Sequence, residues 1–171
     1  MLEIIKKRRS VRTYLKKDVE NKKLREILKA AMFSPTARGL RPWEFIIVTD
    51  GETKNKLSRA TPYASFAKDA PVVIVICYDT SKAKRFKEDC SICAENIYLE
   101  ATNQGLGTCF IQIADGTEAD VGNPEEFVKK VLSIPENYRI QCFMPLGYPT
   151  KMPEPHKDEE FDKNKIHYEK F

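Results

Sequence analysis

The sequence has no apolar run that approaches the ~20 residues of a membrane-spanning helix. Its first ten residues, MLEIIKKRRS, lack the apolar segment of a secretory signal, so we expect a cytoplasmic protein without a membrane partner. No internal repeat, low-complexity tract or long linker interrupts the 171 residues, of which 42% are apolar. This length and composition predict a single domain over residues 1–171, with a core of ordinary size.

The five cysteines are not the even, closely spaced set of a disulfide scaffold. Most of them lie in apolar segments, which favours reduced thiols. Cys90 and Cys93 form a C-x-x-C pair, a spacing that also occurs in redox pairs and in half of a zinc site. This pair falls on the apolar face of a predicted helix, and no second C-x-x-C or histidine pair lies near it. We therefore predict structural thiols and no metal ligand.

Positive charge is concentrated at the start of the chain. Residues 1–29 contain eleven lysines and arginines against four acidic residues, a net charge of +7, whereas the remaining 18 basic and 21 acidic residues give −3. This asymmetry indicates either an anionic partner or a solvated helix face with a lysine-rich loop. A non-enzymatic binder of RNA or another anion is a further alternative. The aromatic platforms and motifs of nucleic-acid modules are absent, so no nucleic-acid partner is expected.

Hydrophobic periodicity predicts alternating helices and strands. A short helix from Leu2 precedes the basic RRSVRTY stretch, and an amphipathic helix with N-cap residues at 18–21 ends at Ser34-Pro35. Further helices are predicted at 51–60, 87–104 and 124–133, and strands at 43–48, 72–78, 108–113 and 138–146. The apolar run at 72–78 is typical of a strand that is buried on both faces. The order predicts a mixed sheet flanked by helices, followed by a polar tail at 151–171.

Two segments contain the residue types of an anion site and a cofactor site. In the first, RRSVR at residues 8–12, three guanidinium groups and a hydroxyl suit bidentate binding of a phosphate, although a solvated basic turn would look the same. In the second, SPTARGLRPW at residues 34–43, small residues permit close backbone approach to a flat ligand. A plain helix-to-strand connection with a core tryptophan is the alternative for this segment.

Together the two segments resemble those of the nitroreductase-like flavin oxidoreductases. RRSVRTY matches the family's RRSxRxF/Y stretch, and SPTARGLRPWEF matches its SPSxxNxQPWxF-type segment. EATNQGLGTCFI and PLGYP resemble later family stretches, in order and at matching intervals over nearly the whole chain. The resemblance implies an α+β fold with a mixed, mainly antiparallel sheet flanked by helices, in an intertwined homodimer. It also implies that the tail, 151–171, packs on the partner subunit.

The resemblance further implies a site for FMN. The residues it assigns to the cofactor are Arg8, Arg9, Ser10, Arg12, Pro35, Thr36, Ala37, Gly39, Gln112, Ile113 and Lys157. Residues 8–10 would contact the phosphate, ribityl chain or ring, and residue 12 the pyrimidine edge. Residues 35–37 would approach from the other subunit, and the backbone at 112–113 would lie near flavin N5 and O4. Lys157, with His156 as second candidate, would assist at the phosphate.

The activity implied by the resemblance is that of an FMN-dependent NAD(P)H oxidoreductase. Hydride would pass by a ping-pong exchange from NADH or NADPH, through flavin N5, to a nitroaromatic, quinone or flavin acceptor. No side chain is assigned as catalytic, because the cofactor itself carries the electrons. The same fold also supports dehalogenating and flavin-consuming enzymes, which remain alternatives. The sequence departs from the family at Gly39 and Arg41, where asparagine and glutamine are usual, and it lacks an evident tail arginine.

Overall fold

The computed structural model describes all residues, 1–171, and places helices on both faces of a five-stranded sheet. The helices are α1 (Leu2–Lys7), α2 (Asn21–Met32), α3 (Gly51–Leu57), α4 (Phe86–Asn103) and α5 (Pro124–Leu132). The strands are β1 (Trp43–Val48), β2 (Val72–Asp79), β3 (Gly107–Thr108), β4 (Ile111–Gln112) and β5 (Tyr138–Gly147). Short 3₁₀ turns occur at Ala37–Gly39, Ser65–Asp69, Asp158–Glu160 and Lys163–Lys165. None of the helices combines the length and the apolar character needed to cross a bilayer.

Every ladder of the sheet is antiparallel. β2 pairs with β1 on one side and with β5 on the other, and β5 also pairs with β3 and β4. The one parallel contact is an isolated bridge between Ser10 and Thr108, where the Val11 N–H donates to the Thr108 carbonyl at 2.9 Å. The predicted mixed, mainly antiparallel sheet is confirmed. The bridge fixes the basic N-terminal stretch along the outer edge of β3.

β2 is the centre of the core, because all eight of its residues are buried. Its side chains alternate between two hydrophobic clusters. Ile74 and Ile76 pack with residues of α2 and α4, whereas Val73 and Val75 pack with residues of α3 and α5. The prediction of a strand buried on both faces is confirmed. Helices on both faces of an antiparallel sheet account for its unbroken apolar run.

The region predicted as one strand at 108–113 forms two short strands, β3 and β4. The position of the predicted strand is therefore correct, but the prediction of a single continuous strand is wrong. The register against β5 continues across the gap, which sets Cys109 opposite Pro145. Pro145 has no N–H to donate to the ladder. The N–H of Phe110 is diverted to the Tyr98 hydroxyl at 2.6 Å. Without a Pro145 N–H and with the Phe110 N–H bound elsewhere, the ladder with β5 is interrupted at Cys109 and Phe110.

The start of α2 and the end of α4 are capped in different ways. α2 begins without the expected side-chain cap, because its N-cap residue, Glu20, turns its carboxylate to the Tyr148 hydroxyl at 2.7 Å. The prediction of N-cap chemistry at 18–21 is therefore wrong. α4 ends at Asn103 with Gln104 as its C-cap, and Gly105 follows with a φ of +71°, in the left-handed region that favours glycine.

The cysteines are buried thiols, as predicted. Cys90 and Cys93 are fully buried on the inner face of α4, and none of the five cysteines forms a disulfide. Burial raises the pKa of Cys93 to about 12 and also raises the pKa of Cys90. Both thiols are therefore protonated at neutral pH and unreactive, because the thiolate is the nucleophile and metal ligand.

Candidate functional site

The basic segment, residues 8–12, leaves α1 in an extended conformation and runs along β3. Arg8 is the C-cap of α1, and its guanidinium carbon lies 5.0 Å from the centre of the Tyr98 ring, within the range of a cation–π contact. Ser10 Oγ lies 3.1 Å from the Tyr98 hydroxyl, which also accepts the Phe110 N–H. Burial raises the pKa of Tyr98, so the hydroxyl stays neutral. Tyr98 thus joins the basic segment, α4 and the sheet edge.

The arginines of the basic segment form no ion pair with a carboxylate. The arginines that form ion pairs in this chain are Arg85 and Arg139, at other positions. The Arg8 guanidinium lies 3.5 Å from the His156 ring, and Arg9 donates to the Glu154 carbonyl. The adjacent guanidinium groups of Arg8 and Arg9 suit a phosphate monoester, which carries a charge of about −1.5 to −2 and three acceptor oxygens.

Arg12 and Gln112 line one cavity of about 610 Å³, hereafter the Arg12 cavity. Half of its ten lining residues are hydrophobic, among them Tyr63 and Phe66, and the Arg12 guanidinium carbon lies 6.0 Å from the centre of the Phe66 ring. The volume lies within the range of about 300–1,000 Å³ for small-molecule and cofactor sites. The residue types and the size of the cavity suit a planar aromatic ligand with a polar edge.

The two predicted residues at 112–113 have different environments. Gln112 is exposed to the Arg12 cavity, and its Nε2 donates to the Ala114 carbonyl at 2.9 Å. Ile113 is fully buried in the core, and its N–H donates to the Gln141 carbonyl at 3.0 Å. The side chain of Ile113 therefore does not line the cavity, and a ligand there meets Gln112.

The loop at residues 34–41, hereafter the 34–41 loop, is held in shape by hydrogen bonds between its own residues. The Arg41 N–H donates to Thr36 Oγ1 at 3.0 Å, and the Gly39 N–H donates to the Thr36 carbonyl at 2.9 Å. Gly39 has a φ of +67°, and Arg38 and Arg41 also lie in the left-handed region, at +58° and +49°. Asparagine is the residue that best tolerates this region after glycine. This shared tolerance explains why glycine stands where the resemblance has asparagine.

Asp89, which is not among the predicted site residues, anchors the 34–41 loop to α4. Its carboxylate is 3% exposed, accepts the Ala37 N–H at 3.0 Å and accepts the Tyr78 hydroxyl at 3.2 Å. The Tyr78 hydroxyl in turn accepts the Arg85 N–H at 2.9 Å. The sequence feature that could have indicated Asp89 is its position in the first turn of α4, directly before the buried stripe that starts at Cys90. Tyr98, also not among the predicted site residues, follows Ala94 by four residues on that stripe, where a tyrosine hydroxyl needs a partner.

Within one chain the predicted site residues form separate groups. No residue of the 34–41 loop lines the Arg12 cavity; Ala37 lines a second cavity instead. At the tail, the His156 N–H donates to the Lys6 carbonyl at 2.8 Å, and Lys6 pairs with Asp158 at 2.6 Å. The Lys157 side chain is exposed near these contacts. The backbone N–H of Lys157 donates to the Glu160 carboxylate at 2.8 Å. The chain thus brings residues 8–10 to the tail and Arg12 to Gln112, but leaves the 34–41 loop apart.

Comparison with known proteins identifies the family of this fold and site. The sequence matches the nitroreductase family over residues 5–62 and 58–148. It is 37% identical to a protein of Methanothermobacter thermautotrophicus that is provisionally named as an NADH dehydrogenase/NAD(P)H nitroreductase, over 100% of this chain and 87% of that protein. The chain therefore belongs to the nitroreductase family.

A solved structure agrees with this assignment. An FMN-dependent nitroreductase from Clostridium difficile R20291 has a TM-score of 0.96 and 38% sequence identity, over the whole of both chains. An iodotyrosine deiodinase of Thermotoga neapolitana is more distant, at 24% identity over 87% of this chain and 88% of that protein. The similarity of the whole structure extends to the edge of the sheet and the loops that hold the candidate site.

Proposed function

We propose that this protein is an FMN-dependent NAD(P)H oxidoreductase that acts as a homodimer. The observation that carries the proposal is Arg12, which forms no ion pair and lines the cavity of about 610 Å³, with two further unpaired arginines at residues 8 and 9 of the same segment. The cavity suits a flavin ring in size, and the free guanidinium groups suit a phosphate in charge and in hydrogen-bond geometry.

The residues of the candidate site suit both the phosphate and the ring of FMN. Arg8 and Arg9, with Lys157 near the tail contacts, would hold the phosphate, and Ser10 would bind next to them. Arg12 and Gln112 would meet the polar edge of the ring, where Arg12 places a fixed positive charge that favours a gain of electrons. The chemistry that FMN supplies when bound is hydride transfer, in a ping-pong exchange, from NADH or NADPH to a second substrate. The apolar residues of the cavity would exclude water from the ring.

A second copy of the chain would complete the site. The 34–41 loop is rigid and lies outside the Arg12 cavity of its own chain, so Pro35, Thr36 and Ala37 would reach the flavin of the partner. Large apolar side chains are exposed near both ends of the chain, among them Leu2 at the start and Phe161, Tyr168 and Phe171 in the tail. Such exposed patches mark protein interfaces. The tail, 151–171, would then pack on the partner subunit.

The acceptors that we propose are nitroaromatic compounds, quinones and flavins. The similarity to a deiodinase makes reductive dehalogenation the second candidate. A turnover screen with nitro compounds, quinones and halogenated phenols separates these reactions. Release of halide without reduction of nitro compounds would support the second candidate over the first.

An absorption spectrum of the untreated, purified protein tests the proposal. We expect a yellow protein that bleaches anaerobically when NADH or NADPH is added. Arg12→Ala should weaken FMN binding by about tenfold or more, because a hydrogen bond to a charged group contributes about 1.5–3 kcal/mol. Arg59→Ala is the matched control, since Arg59 is exposed and forms no ion pair. A colourless protein that FMN does not reconstitute would refute the proposal.

A further inference from the structure

A second cavity, of about 600 Å³, lies between the 34–41 loop and the start of α4. We call it the Arg38 cavity. Four of its seven lining residues are cationic, namely Arg38, Lys82, Lys84 and Arg85, and none is acidic. The Arg12 cavity has no such concentration of charge, because Arg12 is its one cationic lining residue. A cavity lined by four cations attracts anionic ligands and raises their local concentration.

Half of this positive charge is not neutralised by the protein. Lys82 and Arg85 each pair with a neighbouring carboxylate, at 3.2 and 3.7 Å. Arg38 and Lys84 form no ion pair, although the chain has 25 acidic residues. Two free cations, one of them a guanidinium fork, match the charge of about −1.5 to −2 of a phosphate monoester.

The backbone that carries this arginine has a defined, left-handed conformation. Arg38 has a φ of +58° and a ψ of +15°, a conformation that costs a non-glycine residue about 1–2 kcal/mol. The residues on both sides of it are fixed, because Thr36 binds the Arg41 N–H and Asp89 binds the Ala37 N–H. Backbone strain of this kind is concentrated at ligand-binding positions. A preorganised backbone at this position also reduces the entropy lost when a ligand binds.

The position of the cavity links it to the proposed redox site. Ala37 lines the Arg38 cavity and also belongs to the loop that we propose to approach the flavin. In the proposed dimer, a substrate bound at the flavin would lie beside this loop, and a second group of that substrate would enter the Arg38 cavity. Of the two proposed electron donors, NADPH carries a phosphate monoester, on its adenosine ribose, and NADH carries none.

We propose that the Arg38 cavity binds the 2′-phosphate of NADPH and gives the enzyme a preference for NADPH over NADH. This inference rests on the oxidoreductase function proposed above. Arg38 would bind the phosphate through its guanidinium fork, and Lys84 would add a point charge. Lys82 and Arg85 would contribute less, because their charge is shared with carboxylates.

Two variants test this inference. Arg38→Asn removes the guanidinium and retains a residue that accepts a positive φ, and Lys84→Gln removes the second free charge. We expect each variant to lower kcat/KM for NADPH about tenfold relative to NADH, which corresponds to ~1.4 kcal/mol. Arg59→Asn is the matched control, because Arg59 is exposed, unpaired and outside both cavities. Its ratio of the two kcat/KM values should equal that of the unchanged protein.

A binding measurement separates this inference from the proposed function. Titration calorimetry of the purified holoprotein should show tighter binding of 2′,5′-ADP than of 5′-AMP, and Arg38→Asn should abolish the difference. Equal affinity for both nucleotides, or a difference that survives in both variants, would overturn the inference. Failure to oxidise either NADH or NADPH would defeat the oxidoreductase proposal, while the titration would still decide whether the cavity binds the phosphate.

Discussion

Replacement of Asp89 should loosen the 34–41 loop. The Asp89 carboxylate accepts hydrogen bonds from the Ala37 N–H at 3.0 Å and the Tyr78 hydroxyl at 3.2 Å, and it is 3% exposed. Asp89→Ala leaves both donors without this acceptor. Since a hydrogen bond to a charged group contributes about 1.5–3 kcal/mol, and the Tyr78 hydroxyl can find other partners, we expect a loss of about 2–4 kcal/mol in the free energy of unfolding. That is a large share of the ~5–15 kcal/mol of a typical domain.

Asp89→Asn distinguishes a specific anchor from general damage to the core. An asparagine can accept the Ala37 N–H through its carbonyl oxygen and donate to the Tyr78 oxygen through its amide. It should therefore lose only about 1 kcal/mol and keep most of the FMN affinity. Urea unfolding and FMN titration measure the two quantities, and Asp120→Ala, at an exposed aspartate, is the control. Equal stability of Asp89→Ala and Asp120→Ala would refute the argument, as would equal losses for alanine and asparagine at position 89.

Three further predictions concern parts of the fold around the site. Gly107→Ala should destabilise the protein by about 1–3 kcal/mol in urea unfolding, because the added Cβ would lie 2.5 Å from a valine side chain of the basic segment; an unchanged midpoint would contradict this. Glu125→Ala should lower the free energy of unfolding by about 2 kcal/mol, because Glu125 is nearly buried and accepts the Arg139 Nε–H at 2.8 Å; Glu118→Ala, at an exposed site, should change it little. Hydrogen bonds from the hydroxyl of Ser81 and from other neighbours lower the pKa of Asp79 to about 2, so its stabilisation is complete above the unfolded pKa near 4 and is lost as the pH falls toward 2. The thermal midpoints of the unchanged protein and Asp79→Asn should therefore converge over that pH range, and parallel curves would disprove the assignment.

Sequence periodicity was sufficient for the elements whose burial is regular. β2 and α4 were predicted within one or two residues, because an unbroken apolar run and a stripe at helical spacing each leave a local pattern. The division between β3 and β4 was not predictable, since it depends on Pro145 and Tyr98, which come from other elements. The missing cap of α2 has the same cause, a tyrosine that is distant in sequence.

The residues alone indicated the candidate site only where a motif is contiguous, and the resemblance added Gln112, which lines the Arg12 cavity. Residues 8–12 are adjacent in sequence, so their common role could be inferred from a short stretch. The Arg38 cavity joins residues 38 and 84, and no local pattern connects those positions. The left-handed backbone at Arg38 and Arg41 is also invisible in the sequence, because arginine has no preference for it. The placement of Asp89 beneath the loop required the packing of α4 against it.

The attachment of the tail to the basic segment has a consequence for biosynthesis. Arg8 and Arg9 meet partners that lie 148 and 145 residues later in the chain. During synthesis, Arg8 and Arg9 must therefore wait for residues 154–156 before these contacts can form. Contacts between such distant positions are slow to form, because a large loop has to close first. A nascent chain would complete this part of the candidate site only after residues 154–156 have been made, so loading of the proposed FMN would come late in its folding.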